Sequence, residues 1–216
     1  MKILDLFCGE GGAGEGYKWA GFDVTGVDIA PMPTNPHRFV QADALEYLVK
    51  HADSFDAVHA SPPCQSFSRT KSLHSNQYPD LIAPLRAILE DWGGPYVIEN
   101  VPSAPLVNSM LLCGTMFDLR MYRHRLFEAN FPIKRLKHPI HRASAGPLGR
   151  KSAPDEFLQL VGNFVGIEEA RAEMKMPWAT RAGISEAIPP AYSEYVGGQL
   201  KAYLGGGLQT PRSSED

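Results

Sequence analysis

The sequence has little cysteine, no long apolar run and no excess of positive charge, and each absence removes a class of protein. Three cysteines in 216 residues, at wide and non-repeating spacing, form neither a disulfide framework nor a zinc pattern. A reducing setting and no bound metal are therefore expected. No stretch reaches membrane-spanning length, and the opening Met-Lys-Ile-Leu-Asp-Leu-Phe turns polar too soon for a signal peptide. With 24 acidic against 21 basic residues, the formal net charge of −3 argues against coating nucleic acid by global charge alone. The expectation is a soluble, cytoplasmic, monomeric protein of enzyme size, with one α/β domain and room for a small appended lobe.

What is present begins with a buried-strand signal. Residues 2–7 form a short apolar run that ends in a glycine cluster. Further strands are predicted over 22–28, 38–41, 55–60 and 96–101. Helices are predicted over 14–20, 45–50, 81–92, 167–174 and 192–204. Strands alternating with helices at this spacing predict a doubly wound, mostly parallel Rossmann-like sheet, whose ligands collect at the carboxyl ends of the strands. After Phe131 the composition changes. Lys134, Arg135, Lys137, Arg142, Arg150 and Lys151 occur with no acidic residue between them, which reads as an irregular basic loop. The chain accordingly divides into a catalytic and cofactor-binding part (1–131), a small recognition region (132–185), a final helix returning to the core (186–204) and a tail (205–216).

The first strand runs into Gly9-Glu10-Gly11-Gly12-Ala13-Gly14, and Asp28 closes the second strand about 20 residues later, where a carboxylate meets ribose hydroxyls. This pattern fits NAD as well as S-adenosylmethionine. The acidic residues favour the second, because Glu10 and Glu15 would repel a pyrophosphate on the loop, whereas S-adenosylmethionine carries a sulfonium and an ammonium. Phe7 would present its ring to adenine and Asp43 would accept from the adenine amino group. Asp43 also reads simply as a helix N-cap, and Phe7 as core.

Ser61-Pro62-Pro63-Cys64-Gln65-Ser66-Phe67-Ser68 follows the fourth strand and Ile98-Glu99-Asn100-Val101 ends the fifth. Tyr122-Arg123-His124-Arg125-Leu126-Phe127 comes later, and Ala187-Ile188-Pro189-Pro190-Ala191-Tyr192 opens the last helix. With Asp5-Leu6-Phe7-Cys8-Gly9, these motifs resemble those of the cytosine C5 methyltransferase family, in that family's unpermuted order, over about residues 1–131 and 185–204. The resemblance implies S-adenosylmethionine as methyl donor, S-adenosylhomocysteine as product, and DNA as substrate. It implies Cys64 as nucleophile toward cytosine C6 and Glu99 as the group that protonates N3, with Asn100 bracing the Cys64 loop and Arg123 and Arg125 lining the base pocket. Cofactor contacts are expected from Phe7, Gly9, Glu10, Gly11, Gly12, Asp28, Ile29, Asp43, Ala44, Pro62 and Ser193. Cys8 and Cys113 read as plain core residues, and His59 and His124 as packing or solvent-facing. Two departures stand out: Met121 occupies a position where the family often carries glutamine, and the glycine-asparagine pair of the last motif is absent.

A cytosine inside a duplex must be flipped out before C5 can react. The stretch after the nucleophile, in which Ser66, Ser68, Arg69 and Lys71 are expected to form a mobile loop, and the basic loop (Lys134, Arg135, Lys137, Arg142) are expected to hold the nucleic acid, with Gln65 also in contact. Phosphate contacts of this kind position without specifying, so a short recognition region implies a short or degenerate target. The same residues would serve RNA, as in the related tRNA branch. An oxidoreductase would leave Pro-Pro-Cys and Glu-Asn-Val without a use, and a catalytically silent binder would have no need of Cys64 and Glu99. A restriction–modification setting and a solitary enzyme fit equally well.

Overall fold

The computed structural model describes residues 1–63 and 80–206. Its centre is a seven-stranded sheet in the order β3-β2-β1-β4-β5-β7-β6. The strands are β1 (Lys2–Leu6), β2 (Asp23–Asp28), β3 (Arg38–Gln41), β4 (Ala57–Ala60), β5 (Tyr96–Asn100), β6 (Met110–Leu112) and β7 (Arg125–Ala129). The first five are parallel, and β7 enters antiparallel to both β5 and β6. The helices are α1 (Gly12–Trp19), α2 (Ala44–His51), α3 (Ile82–Trp92), α4 (Ile167–Met174), α5 (Arg181–Glu186) and α6 (Pro190–Leu204). Among the described residues no helix is long and apolar enough to cross a membrane.

Strand alternation explains the two layers. Ile3, Val24, Ala57 and Val97 point to one face and pack with Tyr17 of α1 and with Tyr192, Val196 and Leu200 of α6. Leu4, Leu6, Val27, Val58 and Ile98 point to the other and pack with Leu48 of α2 and with Leu85 and Leu89 of α3. Both faces are covered, so the strands read as near-continuous apolar runs. Helices α1 and α6 meet through Gly16, where a Cβ would stand 2.0 Å from the Pro190 carbonyl oxygen and 2.2 Å from Ser193 Oγ. That contact fixes the last helix against the first and sets Ser193 at their interface, fully buried, with its hydroxyl donating to Pro190 O at 3.1 Å.

A third cluster lies outside the sheet. Leu158, Leu160, Phe164, Ala170, Met174, Met176, Ala179 and Ile184 gather around Met121, itself 1% exposed. Met121 thus anchors the small lobe by an apolar contact, which a glutamine could not make without burying an amide. The stretch 132–145 is not part of that lobe's core, since its Ile133 and Leu136 pack on the α1–α6 layer. The interval 132–185 therefore holds two pieces with different supports.

Candidate active site

Because β1 has β2 on one side and β4 on the other, the chain reverses its winding direction there, and the loops leaving the two strands part to open a crevice. A cleft of about 580 Å³ occupies this place. Phe7, Gly9, Glu10, Gly12, Asp28, Ile29, Asp43, Ala44 and Pro62 line it, as do Glu99, Asn100 and Arg125. The structure therefore brings most of the expected cofactor residues together with three of the expected catalytic ones. It does not bring Ser193, which packs between helices, or Gly11, whose left-handed backbone (φ 84°) closes the turn into α1. Cys64, Gln65, Ser66, Ser68, Arg69 and Lys71 lie outside the described residues.

The glycine loop owes its shape to side chains as well as to glycine. Asp28 Oδ2 accepts from the Gly9 amide at 3.0 Å and Oδ1 from the Ala30 amide at 3.1 Å. Gly9 itself (φ 48°) has nothing within 4 Å of where a Cβ would stand, so the backbone there is open to a ligand. Phe7 also adopts a left-handed backbone, φ 58°. That conformation is costly for a bulky residue and is maintained by the surrounding turn. Ile29, 71% exposed, stands at the cleft edge with Met32, so an apolar strip borders the carboxylates. Asp43 is the N-cap of α2, accepting from the Glu46 amide at 2.9 Å, and still contributes to the lining.

The two acidic residues of the loop are already engaged. Glu10 accepts from the Thr180 amide at 2.7 Å and from the Thr180 hydroxyl, at the N-terminus of α5. Glu15 accepts from Trp19 Nε1 at 2.8 Å and lies beside Lys18 and His37. A further carboxyl at the cleft is Asp5, which sequence reasoning did not single out as a ligand group. It is 1% exposed, neither of its oxygens has a well-formed hydrogen-bond partner among the described residues, and it lines the cleft. Burial pushes its pKa up to about 8, with the charges of Asp28 and Glu99 adding to the rise and the nearby Gly14 amide opposing it.

Glu99, at the end of β5, is also buried, and desolvation raises its pKa. Arg125 opposes that rise most strongly, its Nε lying 3.1 Å from Glu99 Oε1, followed by the Ser61 hydroxyl and Arg123. Ser61 belongs to a longer buried chain: Tyr17 OH lies 3.0 Å from His59 Nδ1, and His59 Nε2 lies 3.0 Å from Ser61 Oγ. Burial lowers the His59 pKa to about 3, so the ring is neutral and each nitrogen can take one role, donor or acceptor. Asn100 Nδ2 donates to the Pro62 carbonyl at 2.8 Å, tying β5 to the segment that leads into Cys64.

The paired arginines part company. Arg125 faces Glu99 and the cleft, whereas Arg123 donates to the Leu160 carbonyl at 2.9 Å and the Ser185 carbonyl at 2.7 Å. Its guanidinium ties the small lobe to the sheet. On the opposite flank Lys134, Arg135, Lys137 and Arg142 are all exposed. Gln199 Oε1 accepts from the Lys134 amide at 2.6 Å, and Tyr195 OH donates to the Lys134 carbonyl at 2.5 Å.

No family model matches the chain. The type II methyltransferase M.AgeI of Thalassovita gelatinovora is 33% identical over 122 residues. That stretch is 47% of this chain, and the chain spans only 28% of that relative's length. Among solved structures, a prophage-encoded protein of E. coli described as a DNA modification methyltransferase superposes with a TM-score of 0.68 at 14% identity, covering 95% of this chain and 99% of its own. The Entamoeba histolytica methyltransferase EhMeth gives 0.61 at 13% identity over 97% and 99% of the two chains. The S. pombe Dnmt2 methyltransferase gives 0.60 at 13% identity over 94% and 99%. At such identities the likeness is one of fold.

Proposed function

We propose that this chain, which belongs with the cytosine C5 methyltransferases in its motifs and its fold, transfers a methyl group from S-adenosylmethionine to C5 of a cytosine in DNA. The observation that carries the reading is the meeting of Glu99 and Arg125 with the glycine loop in one cleft. The curated relative is a type II methyltransferase and one structural neighbour is described as a DNA modification enzyme, which supports the choice of DNA.

The cleft suits the cofactor by its chemistry. A buried carboxyl with no hydrogen-bond partner among the described residues (Asp5), an open backbone at Gly9, and Asp28 beside an apolar strip match a cationic amino acid joined to a nucleoside. Phe7 and Ile29 would border the adenine, Asp28 and Asp43 would accept its ribose and amino donors, and Asp5 would face the ammonium. When bound, S-adenosylmethionine supplies an electrophilic methyl group. The chain does the rest. Cys64 as thiolate adds to C6 of the flipped cytosine, and Glu99, whose raised pKa favours carrying a proton, donates to N3 as charge builds there. C5 takes the methyl, a base removes its proton, and the thiolate leaves. Arg125 would hold Glu99 in place through the cycle, and Asn100 would hold the Pro62–Pro63 approach to Cys64.

The test is DNA carrying 5-fluorocytosine at the target. Fluorine cannot leave as a cation, so the adduct forms, the methyl transfers, and elimination stalls. A complex that survives denaturing electrophoresis is expected only with S-adenosylmethionine present, and Cys64→Ser should abolish it. Trapping that persists in Cys64→Ser would overturn the assignment of the nucleophile. Trapping of fluorinated RNA but not DNA would keep the chemistry and change the polymer.

A further inference from the structure

Outside the cleft, four residues from three places in the chain converge. Cys113 follows β6, His124 precedes β7, and His138 and His141 come from the basic loop. Cys113 Sγ lies 3.3 Å from His141 Nε2, and His124 Nε2 lies 3.0 Å from His138 Nε2. One ligand atom from each of the four residues lies within 4.8 Å of all the others.

We propose that Cys113, His124, His138 and His141 form a tetrahedral zinc site that fastens the basic loop to the strand carrying Arg125. Zinc bonds of about 2.0–2.1 Å to nitrogen and about 2.3 Å to sulfur place the donors of such a set about 3.3–3.6 Å apart. The Cys113–His141 and His124–His138 pairs, at 3.3 and 3.0 Å, already stand near that spacing, and the remaining pairs, all within 4.8 Å, would draw in on binding. One thiolate and three imidazoles suit zinc, and the absence of a carboxylate from the set disfavours magnesium and calcium. Four protein ligands leave no open position, so the site is structural, not catalytic.

The surroundings fit a built site. Tyr122 stacks on the His141 ring, with centroids 3.7 Å apart and planes at 20°, and its hydroxyl donates to the Ala143 carbonyl. Thr115 Oγ1 stands 3.1 Å from Cys113 Sγ, where it would donate to a thiolate. On binding, zinc replaces the thiol proton of Cys113, which goes to solvent. Three histidines held together at a partly exposed surface would otherwise lose rotamer freedom with little return. Two consequences follow from position. Arg125 Nη1 donates to the His124 carbonyl at 2.9 Å, so the ion steadies the residue that faces Glu99. Lys137 precedes His138 and Arg142 follows His141, so the ion also sets where two exposed cations stand.

The inference stands apart from the methyl-transfer reading, and its test does not use activity. The full chain, made in zinc-supplemented medium and passed through gel filtration, should retain stoichiometric zinc by elemental analysis. Exchange with cobalt(II) should give a tetrahedral spectrum with a thiolate-to-metal charge-transfer band. Because Cys113 is buried and its variant could misfold, His138→Ala at an exposed position is the deciding variant. It should keep its circular dichroism yet bind zinc about a hundredfold more weakly, or worse. Wild-type protein that retains no zinc, a cobalt spectrum without the thiolate band, or His138→Ala that keeps stoichiometric zinc at wild-type affinity would each overturn the proposal.

Discussion

The parallel half of the sheet and the segment 132–145 solve the placing of polar side chains in opposite ways. On β1, β4 and β5 the ladder sets Asp5, His59 and Glu99 in the interior, with Asp5 paired to His59 across β1 and β4. Strand backbone hydrogen bonds fix these groups even where their own side chains go unsatisfied. The segment 132–145 has no strand or helix, and its cations are exposed. It is held by single ties such as Lys134 to Gln199 and by the Cys–His cluster. A rigid element can hold a carboxyl out of water against its cost, whereas an irregular segment can only offer charge at the surface. On the proposed reading, chemistry would fall to the strand ends and contact with a long partner to the loop.

The largest effect expected from that division is on rate. If Glu99 protonates N3 as proposed, Glu99→Gln removes that proton and keeps the shape, so methyl transfer should fall about 10²–10⁴-fold in single-turnover assays. DNA affinity should hardly change. A large loss of DNA binding with normal turnover at saturation would break the comparison, because it would make the strand end a contact surface.

Asp5→Asn comes next. Below about pH 4 the Asp5 carboxyl is neutral in folded and unfolded chains alike. Above that the unfolded chain loses the proton, while the folded chain keeps it until about pH 8. Its raised pKa therefore costs stability as pH rises through this window. The amide should remove that cost, with no gain near pH 4 and a gain on the order of 5 kcal/mol by about pH 8, in urea melts of the cofactor-free protein. A gain independent of pH would mean that Asp5 is not the group that titrates. Cofactor affinity should fall in the same variant, which would mark the unpaired carboxyl as part of a binding site.

Asp28→Ala should weaken S-adenosylmethionine binding by about 1–2 kcal/mol in calorimetry, through lost hydrogen bonds to ribose and a looser Gly9 turn. An unchanged affinity would move the ribose contact elsewhere.

Much of this division is legible in the sequence, and what is not has physical reasons. Strands β1 to β5 are read to within two residues of their observed bounds, and α4 at its observed bounds. Strands β6 and β7 escape because β6 has three residues and β7 carries Arg125 and Glu128. Glu128 is buried yet paired with Arg86 at 2.7 Å, a partner 42 residues away that no local pattern reveals. Helix α5 is six residues long and relies on Thr180 and on Glu10 from the far end of the chain. Glu10, read as a cofactor residue, lines the cleft and also braces Thr180, whereas Asp5, part of the opening motif, is not read as a ligand group. Arg123 is likewise read as a pocket residue and reaches into the small lobe. Cys113, read as plain core, and His124, read as packing, belong to a cluster whose spacing along the chain matches no zinc motif.

The smallest effect lies on the loop itself. Lys137 and Arg142 flank the two loop histidines and are exposed, so each can meet a phosphate without displacing a protein contact that supports the fold. If each makes one phosphate contact, Lys137→Gln or Arg142→Gln should lower the slope of log K against log salt by about one unit and change affinity less than about tenfold at moderate salt. Cofactor binding, methyl transfer at saturating DNA and thermal stability should stay as they were, since neither side chain touches the cleft. The double variant should lose about two units if the contacts are independent. A slope that does not move in a folded protein would make this face a solvated surface and place the DNA contact nearer the cleft mouth. An equal loss at low and high salt would point to a hydrogen bond with a base edge instead, and would give the loop a share in specificity.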